Sequence, residues 1–215
     1  TLRKECISNG VQIFTNSGIN SLESSNDKWI LNSKIQSEIL INSSGAWADN
    51  IARLANLKPK NIQPFKRSMA RVEIDTSHNL SPLPVLFGSD DTWYAKPDAG
   101  SMIISPADVN PCEPHDAWAD EEDIALGIYN FEKMVETKVK KLTSNWAGLR
   151  SFAPDQSLVI GPDADATNFF WLAGQGGYGF QTCLAASQIA EDILFNQTSQ
   201  VPSSISKKFS PHRFT

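Results

Sequence analysis

Cysteine is scarce in this 215-residue chain, and the three present, Cys6, Cys112 and Cys183, stand far apart with no C-x-x-C pair. That count and spacing exclude a disulfide framework and a cysteine zinc site, and unpaired thiols fit a reducing compartment, the cytoplasm being the simplest. Long apolar runs are missing too. None reaches the roughly 18 residues that cross a bilayer, so no transmembrane segment is expected, and the first residues lack the basic and apolar halves of a signal peptide. Peripheral contact with an inner membrane stays open. Positive charge is not in excess: 19 Lys and Arg face 24 Asp and Glu, for a net charge of -5 and a pI near 5.2. Nucleic acid and anionic lipid are therefore poor partners, while a small charged substrate is not excluded. The three histidines, His78, His115 and His212, form no nucleophile, base and orienter pattern. No G-x-G-x-x-G follows a strand, so these residues do not supply that grip on a pyrophosphate. Thr1 to Lys4 run into Cys6-Ile7 with neither an initiating methionine nor capping residues. The chain is thus expected to be the later part of a longer protein.

What is present suits a globular protein, with 40% hydrophobic and 20% charged residues. Short β-rich runs, Val11 to Phe14, Ile19 to Leu22, Lys28 to Leu31 and Ile39 to Ile41, alternate with Asn, Ser, Gly and Asp turns. Gly45 then stands at a strand-to-helix turn before the helical spacing of Ala46 to Leu54. After the connector Leu57 to Pro64, a second strand set is predicted at Arg67 to Ile74, Pro84 to Phe87, Thr92 to Ala95 and Ser101 to Ile104. Asp120 to Asp123 open what should be the longest helix, with Ile124, Ile128, Phe131, Val135 and Val139 on one face. Lys138, Lys140 and Lys141 would close it, complementing the helix dipole. Phe169 to Ala173 reads as a strand, followed by the turn Gly174 to Gly179 and a helix from about Gln181 to Leu194. Asn196 to Lys208 is polar enough for a loose tail.

Two features carry candidate chemistry. The turn Gly174 to Gly179 lets backbone approach a ligand and directs free N–H groups of the next helix outward, or it is a tight turn with no ligand. Arg150 stands among apolar neighbours, where a guanidinium either clamps a carboxylate by two parallel hydrogen bonds or pairs with an acid of the chain. Tyr94 alone fits packing as well as hydrogen bonding, Arg67 fits a surface cation, and Val85 and Phe87 fit core strand positions. Cys112 and His115, with Glu113 and Asp116, lack the convergent ligands of a closed metal site, so no metal is expected. Cys183 follows the glycine turn without a base and suits helix packing.

GLRSFAPDQSLVIGP followed by FFWLAGQGGYGFQT resembles the paired C-terminal signature of the D-amino-acid oxidase-like (DAO) family of FAD oxidoreductases. INSSGAWADNIA resembles its internal strand-turn-helix element, and KRS, WYAKPDAG, SPADVNPCEPHD and the closing FSPHRF extend the likeness over about Ile39 to Phe214. Within the family, WAGLRSF and QGGYGFQT are similar to D-amino-acid dehydrogenases of the D-arginine type.

The resemblance implies a mixed α/β (α+β) fold: a partial Rossmann-like FAD-binding domain and a substrate domain with a mixed β-sheet and helices. Residues 1–57 and 146–196 would belong to the FAD-binding domain, 58–145 to the substrate-binding domain and 197–215 to a C-terminal tail. It implies that Arg150 clamps a substrate carboxylate, that Tyr94 adds a phenolic hydrogen bond, and that Arg67 supports or gates the site. Val85, Phe87 and Gly177 would border the substrate. Gly176, Gly177, Tyr178, Gly179, Phe180 and Gln181 would line the flavin, Gly45 and Ala46 would flank it, and Ile19 would sit near the adenine. The implied reaction is FAD-dependent oxidation of a D-amino acid or related amine to an imino acid. Oxidation of a 2-hydroxy acid or an N-methyl amine, or a non-catalytic subunit of the same fold, are the alternatives. Ser151 occupies the position where a covalent link would need cysteine, so noncovalent FAD is expected, held weakly or not at all by these residues alone. The electron acceptor is left open.

Overall fold

A computed structural model describes residues 1–214 of the chain. After the exposed helix α1 (Leu2–Ser8), β1 (Leu22–Ser25), β2 (Lys28–Leu31) and β3 (Ile35–Ser37) form an antiparallel meander. Val11 to Phe14 stays outside any strand, and Ile35–Ser37 adds one that the apolar pattern did not mark. Next, β4 (Leu40–Asn42) turns through Gly45, at φ +59°, into a 3-10 turn and α2 (Ala48–Leu54). That positive φ is one a glycine adopts without the Cβ penalty.

The second sheet has the order β10 (Val159–Pro162), β11 (Phe169–Ala173), β4, with β4 parallel to β11. Alternation along β11 sets its two faces. Phe169, Trp171 and Ala173 pack with Trp29, Leu40, Ala48 and Ala52, whereas Phe170 packs with Leu158, Ile160 and the buried stripe Ala186, Ile189 and Ala190 of α4 (Gly179–Leu194). The parallel pair with helices on both faces is the partial Rossmann-like arrangement that the resemblance implies.

The third sheet is antiparallel throughout, in the order β6 (Leu86–Phe87), β7 (Tyr94–Asp98), β8 (Ser101–Ser105), β5 (Gln63–Ile74), β9 (Val139–Phe152). On β5, Ala70 and Val72 face α3 (Glu121–Met134), whose Ile124 and Phe131 complete the core with Ala95, Met102 and Ile104. Lys66, on the same face, bonds Asp120 and, at 3.0 Å, Asp123, fixing the start of α3 on the sheet.

Several expectations are corrected here. The helix predicted through Val139 ends at Met134, because Val135 is already extended at φ -126°, ψ 149° and Val139 pairs with Ile74. Of its lysines, Lys138 precedes the following strand and Lys140 and Lys141 lie on it, Lys140 meeting Asp75 at 2.7 Å, and α4 with 16 residues is the longer helix. Residue 146 lies inside β9, which stays paired with β5 to Phe152. The tail is also not loose throughout: α5 (Ser203–Ser206) and two 3-10 turns bring Phe209 onto the α4 core and bury Pro211.

A charged element is buried where β10 ends beside Trp171 of β11. Asp163, fully buried, meets Lys60 Nζ at 3.1 Å and accepts from Trp171 Nε1 at 2.8 Å and the Asp165 amide at 3.0 Å. Burial alone would raise its carboxyl; these hydrogen bonds and the Lys60 charge outweigh that and hold it below the usual carboxylate range. A depressed native value stabilises the fold above the unfolded value of about 3.9 and ceases to do so as pH falls through the native value. Urea midpoints should therefore fall as the pH drops below about 4, the unfolded carboxylate value, with a shallower fall in Asp163→Asn. An equal acid limb in the variant would assign the loss to other carboxylates.

Candidate active site

The face of β5 turned away from α3 carries Gln63, Phe65 and Arg67, and the antiparallel register sets them opposite Phe152, Arg150 and Gly148 of β9. Residues directly opposite share a face, so both arginines project to one side. Gly148 has no side chain to fill the space across from Arg67 and nothing lies near its Cβ direction. The result is a cavity of about 430 Å³ lined by Asn61, Gln63, Phe65, Arg67, Val109, Arg150, Phe152, Ala153, Pro154 and Gln156.

Its cations are under-compensated. No acid pairs with Arg150 among the described residues; its guanidinium lies 5.6 Å from the Phe152 ring, and its buried Nε has no hydrogen-bond partner. Burial and then the nearby Arg67 charge push Arg150 below its ordinary value. Among the described residues the one acid paired with Arg67 is Asp108, at 3.8 Å from Nε and beyond hydrogen-bond range, and that Nε is also orphaned. Asp108 is already engaged by the Ser68 amide at 2.7 Å and hydroxyl at 2.9 Å. Two desolvated guanidiniums without full partners favour an anion between them.

The glycine turn abuts this pair. The Gly176 amide bonds Ser151 O at 2.9 Å, and Gly176 itself has φ +57° with its Cβ direction blocked by Phe152 at 2.7 Å. A Cβ on Gly177 would meet Arg150 Nη1 at 3.1 Å. Tyr178, Gly179, Phe180 and Gln181 lead into α4, Phe180 being wholly exposed. The first amides of a helix have no intrahelical acceptor, so this end presents donors to a ligand. Gly177→Ala should displace Arg150 by a few tenths of an ångström and raise KM for a carboxylate substrate roughly three- to tenfold. Steady-state kinetics of that variant checks it, an unchanged KM counting against the contact.

Other singled-out residues land differently. Tyr94 does not line the cavity: its ring backs Arg67 at 5.5 Å and its hydroxyl donates to Met69 Sδ at 3.3 Å. Val85 and Phe87 are exposed rather than core, and neither lines the cavity, Phe87 lying 5.9 Å from the Tyr94 ring. Ile19 lines a separate cavity of about 720 Å³ with Ser44, Trp47 and Ile51, while Gly45 and Ala46 sit in the turn between Ser44 and Trp47. Sequence reasoning missed Asn61, Gln63, Phe65, Val109, Phe152 and Gln156; same-parity spacing from Arg67 and Arg150 would have found Gln63, Phe65 and Phe152. No group of three or more candidate metal ligands occurs among the described residues.

Comparison with known proteins decides the family. The profile of the DAO family, FAD dependent oxidoreductase, matches residues 1–193. The chain belongs to the DAO family. A curated relative is the hydrogen cyanide synthase subunit HcnC of Pseudomonas aeruginosa, 23% identical over 164 residues, covering 74% of this chain and 37% of that protein. Another is mouse mitochondrial sarcosine dehydrogenase, 19% identical over 202 residues, covering 83% of the chain and 21% of the relative. Among solved structures, L-proline dehydrogenase from P. horikoshii has a TM-score of 0.79 at 18% identity, covering 98% of this chain and 57% of that one. Glycine oxidase from Geobacillus kaustophilus has a TM-score of 0.75 at 16% identity, covering 95% and 54%. These likenesses show the DAO fold, of which the chain spans little more than half.

The site residues fit the family's cofactor. The free amides at the start of α4 and the cavity by Ile19, Trp47, Ile51 and Leu54 would offer backbone donors and apolar surface to FAD.

Proposed function

We propose that the complete protein is an FAD-dependent oxidoreductase that oxidises an amino acid or amine bearing a carboxylate, with a D-amino acid as the first candidate. The observation that carries this reading is the pair Arg67 and Arg150 in one cavity, both with orphaned Nε atoms, beside the glycine turn. Residues 1–57 and the segment after Phe152 serve the cofactor, the five-stranded sheet serves the substrate, and the FAD is held noncovalently.

Arg150 binds the carboxylate in a fork geometry, and Arg67, stiffened by the Tyr94 ring, adds a second positive charge. Phe65 and Phe152, edge to face at 5.7 Å, wall the cavity on the side of Arg150 with apolar surface. Anchoring the carboxylate leaves the carbon that bears nitrogen only rotational freedom, converting an encounter into a positioned reaction. FAD held beside this cavity would supply a two-electron, hydride-accepting group, so that a substrate bound as its neutral amine would be left as an iminium that water hydrolyses. No lining residue is acidic, so a basic side chain would find its counter-charge outside this cavity.

The test is the visible spectrum of the complete protein and its anaerobic bleaching by D- and L-amino acids, sarcosine and 2-hydroxy acids. Flavin colour bleached by amino acids, D before L, supports the reading. Bleaching by hydroxy acids alone moves the reaction to alcohol oxidation, and a colourless, folded protein favours a non-catalytic subunit.

A further inference from the structure

The closing FSPHRF motif has no role in the site as described, yet its Arg213 is among the most fully bonded side chains of the protein. Nε and Nη2 grip Asp155 Oδ2 and Oδ1 at 2.7 and 3.1 Å. Nη2 also donates to Ser157 O at 3.1 Å and Nη1 to Ser210 O at 3.0 Å. The Phe214 ring lies 4.2 Å from the guanidinium carbon, and Pro211 seats against Gly161, whose Cβ direction it blocks at 3.1 Å.

What Arg213 grips is the wall of the cavity. Ala153, Pro154 and Gln156 line it, and Asp155 and Ser157 complete the same turn. Gln156 holds φ +59°, a conformation disfavoured for a residue with a Cβ, so the turn depends on its surroundings. From that turn Gln156 O accepts Tyr178 Oη–H at 2.8 Å, and Ser157 O lies 3.3 Å from where a Gly174 Cβ would stand. One turn thus touches the cavity, the glycine turn and the C-terminal clasp.

We propose that Arg213 is a positioning residue: by clasping Asp155 and Ser157 it sets the wall of the carboxylate cavity and the seat of the Gly174–Gly179 turn. The proposal rests on the reading of that cavity as the substrate carboxylate site. A partly exposed ion pair contributes little to stability by itself, so its effect falls on geometry rather than on folding.

The experiment uses the complete protein loaded with FAD and compares Arg213→Ala, Arg213→Lys and Arg150→Ala. Four quantities are read: KM against kcat, the Kd of acetate as a carboxylate probe of the flavin spectrum, amide exchange over residues 153–158, and Tm. Arg213→Ala should raise KM and the acetate Kd about tenfold, with kcat changed by less than about twofold, and speed exchange over 153–158 while Tm moves little. Arg213→Lys, keeping charge without the two-point grip, should recover only part of this. Unchanged exchange with unchanged KM overturns the proposal, as does a loss that simply follows Tm and flavin content. If Arg150→Ala leaves acetate binding intact, the carboxylate reading falls, and exchange over 153–158 still judges the clasp.

Discussion

Replacing Lys60 with Met is expected to destabilise the complete protein by about 3–5 kcal/mol, the range for removing one partner of a buried ion pair. Only 3% of the Lys60 side chain and none of Asp163 is exposed, and the ammonium stands 5.7 Å over the Trp171 ring. Without it, Asp163 keeps two neutral donors, Trp171 Nε1 and the Asp165 amide, but loses the only opposite charge it pairs with among the described residues. Urea unfolding measures the change. The double variant Lys60→Met, Asp163→Asn should lose less than the sum of the two single changes, since no charge is left buried alone. Lys140→Ala, which breaks an exposed pair, should cost about 1 kcal/mol or less. Equal effects of Lys60→Met and Lys140→Ala would remove the buried pair from the account of stability.

Arg150→Ala should lower kcat/KM for a carboxylate substrate roughly 30- to 160-fold, the equivalent of about 2–3 kcal/mol for charge-assisted hydrogen bonds. The loss should fall mainly on KM, because the carboxylate does not react and is gripped equally before and during the transition state. Arg150→Lys should recover only part of it, since an ammonium cannot reproduce the planar fork. Arg67→Ala should cost less, because its Nε faces Asp108 as well as the cavity. An Arg150→Ala variant with unchanged KM would remove Arg150 from substrate binding.

The strand-turn-helix units at Gly45 and at Phe169 to Leu194 were legible because β-rich runs give way to helical spacing across glycine. The strand β9 was not. Most of it is exposed, Val139 to Trp146 carries no strict alternation, and Val135 and Val139 continue the i, i+4 spacing of Ile124, Ile128 and Phe131. Spacing cannot register that pairing with Ile74 pulls Val139 into a sheet. Arg150 and Gly177 were legible from residue type, as an arginine in apolar company and a turn open to close approach. Phe65 and Gln63 were hidden because cross-strand register sets them opposite Arg150 and Phe152, and Asn61 and Asp108 because they reach the site from loops. Tyr94 shows the converse, since the family resemblance implied a donor to substrate, while packing turns its ring to Arg67 and its hydroxyl to Met69.

The most direct test of the central claim, that two under-paired arginines in this DAO-family chain hold a substrate carboxylate, is an anaerobic titration of the complete, FAD-loaded protein. The titrants are an amino acid that it oxidises and the amine left when that amino acid loses its carboxyl group. The account requires flavin reduction by the amino acid at concentrations about a hundredfold lower than by the amine, as the loss of charge-assisted hydrogen bonds dictates. Reduction by both at the same concentration would contradict it.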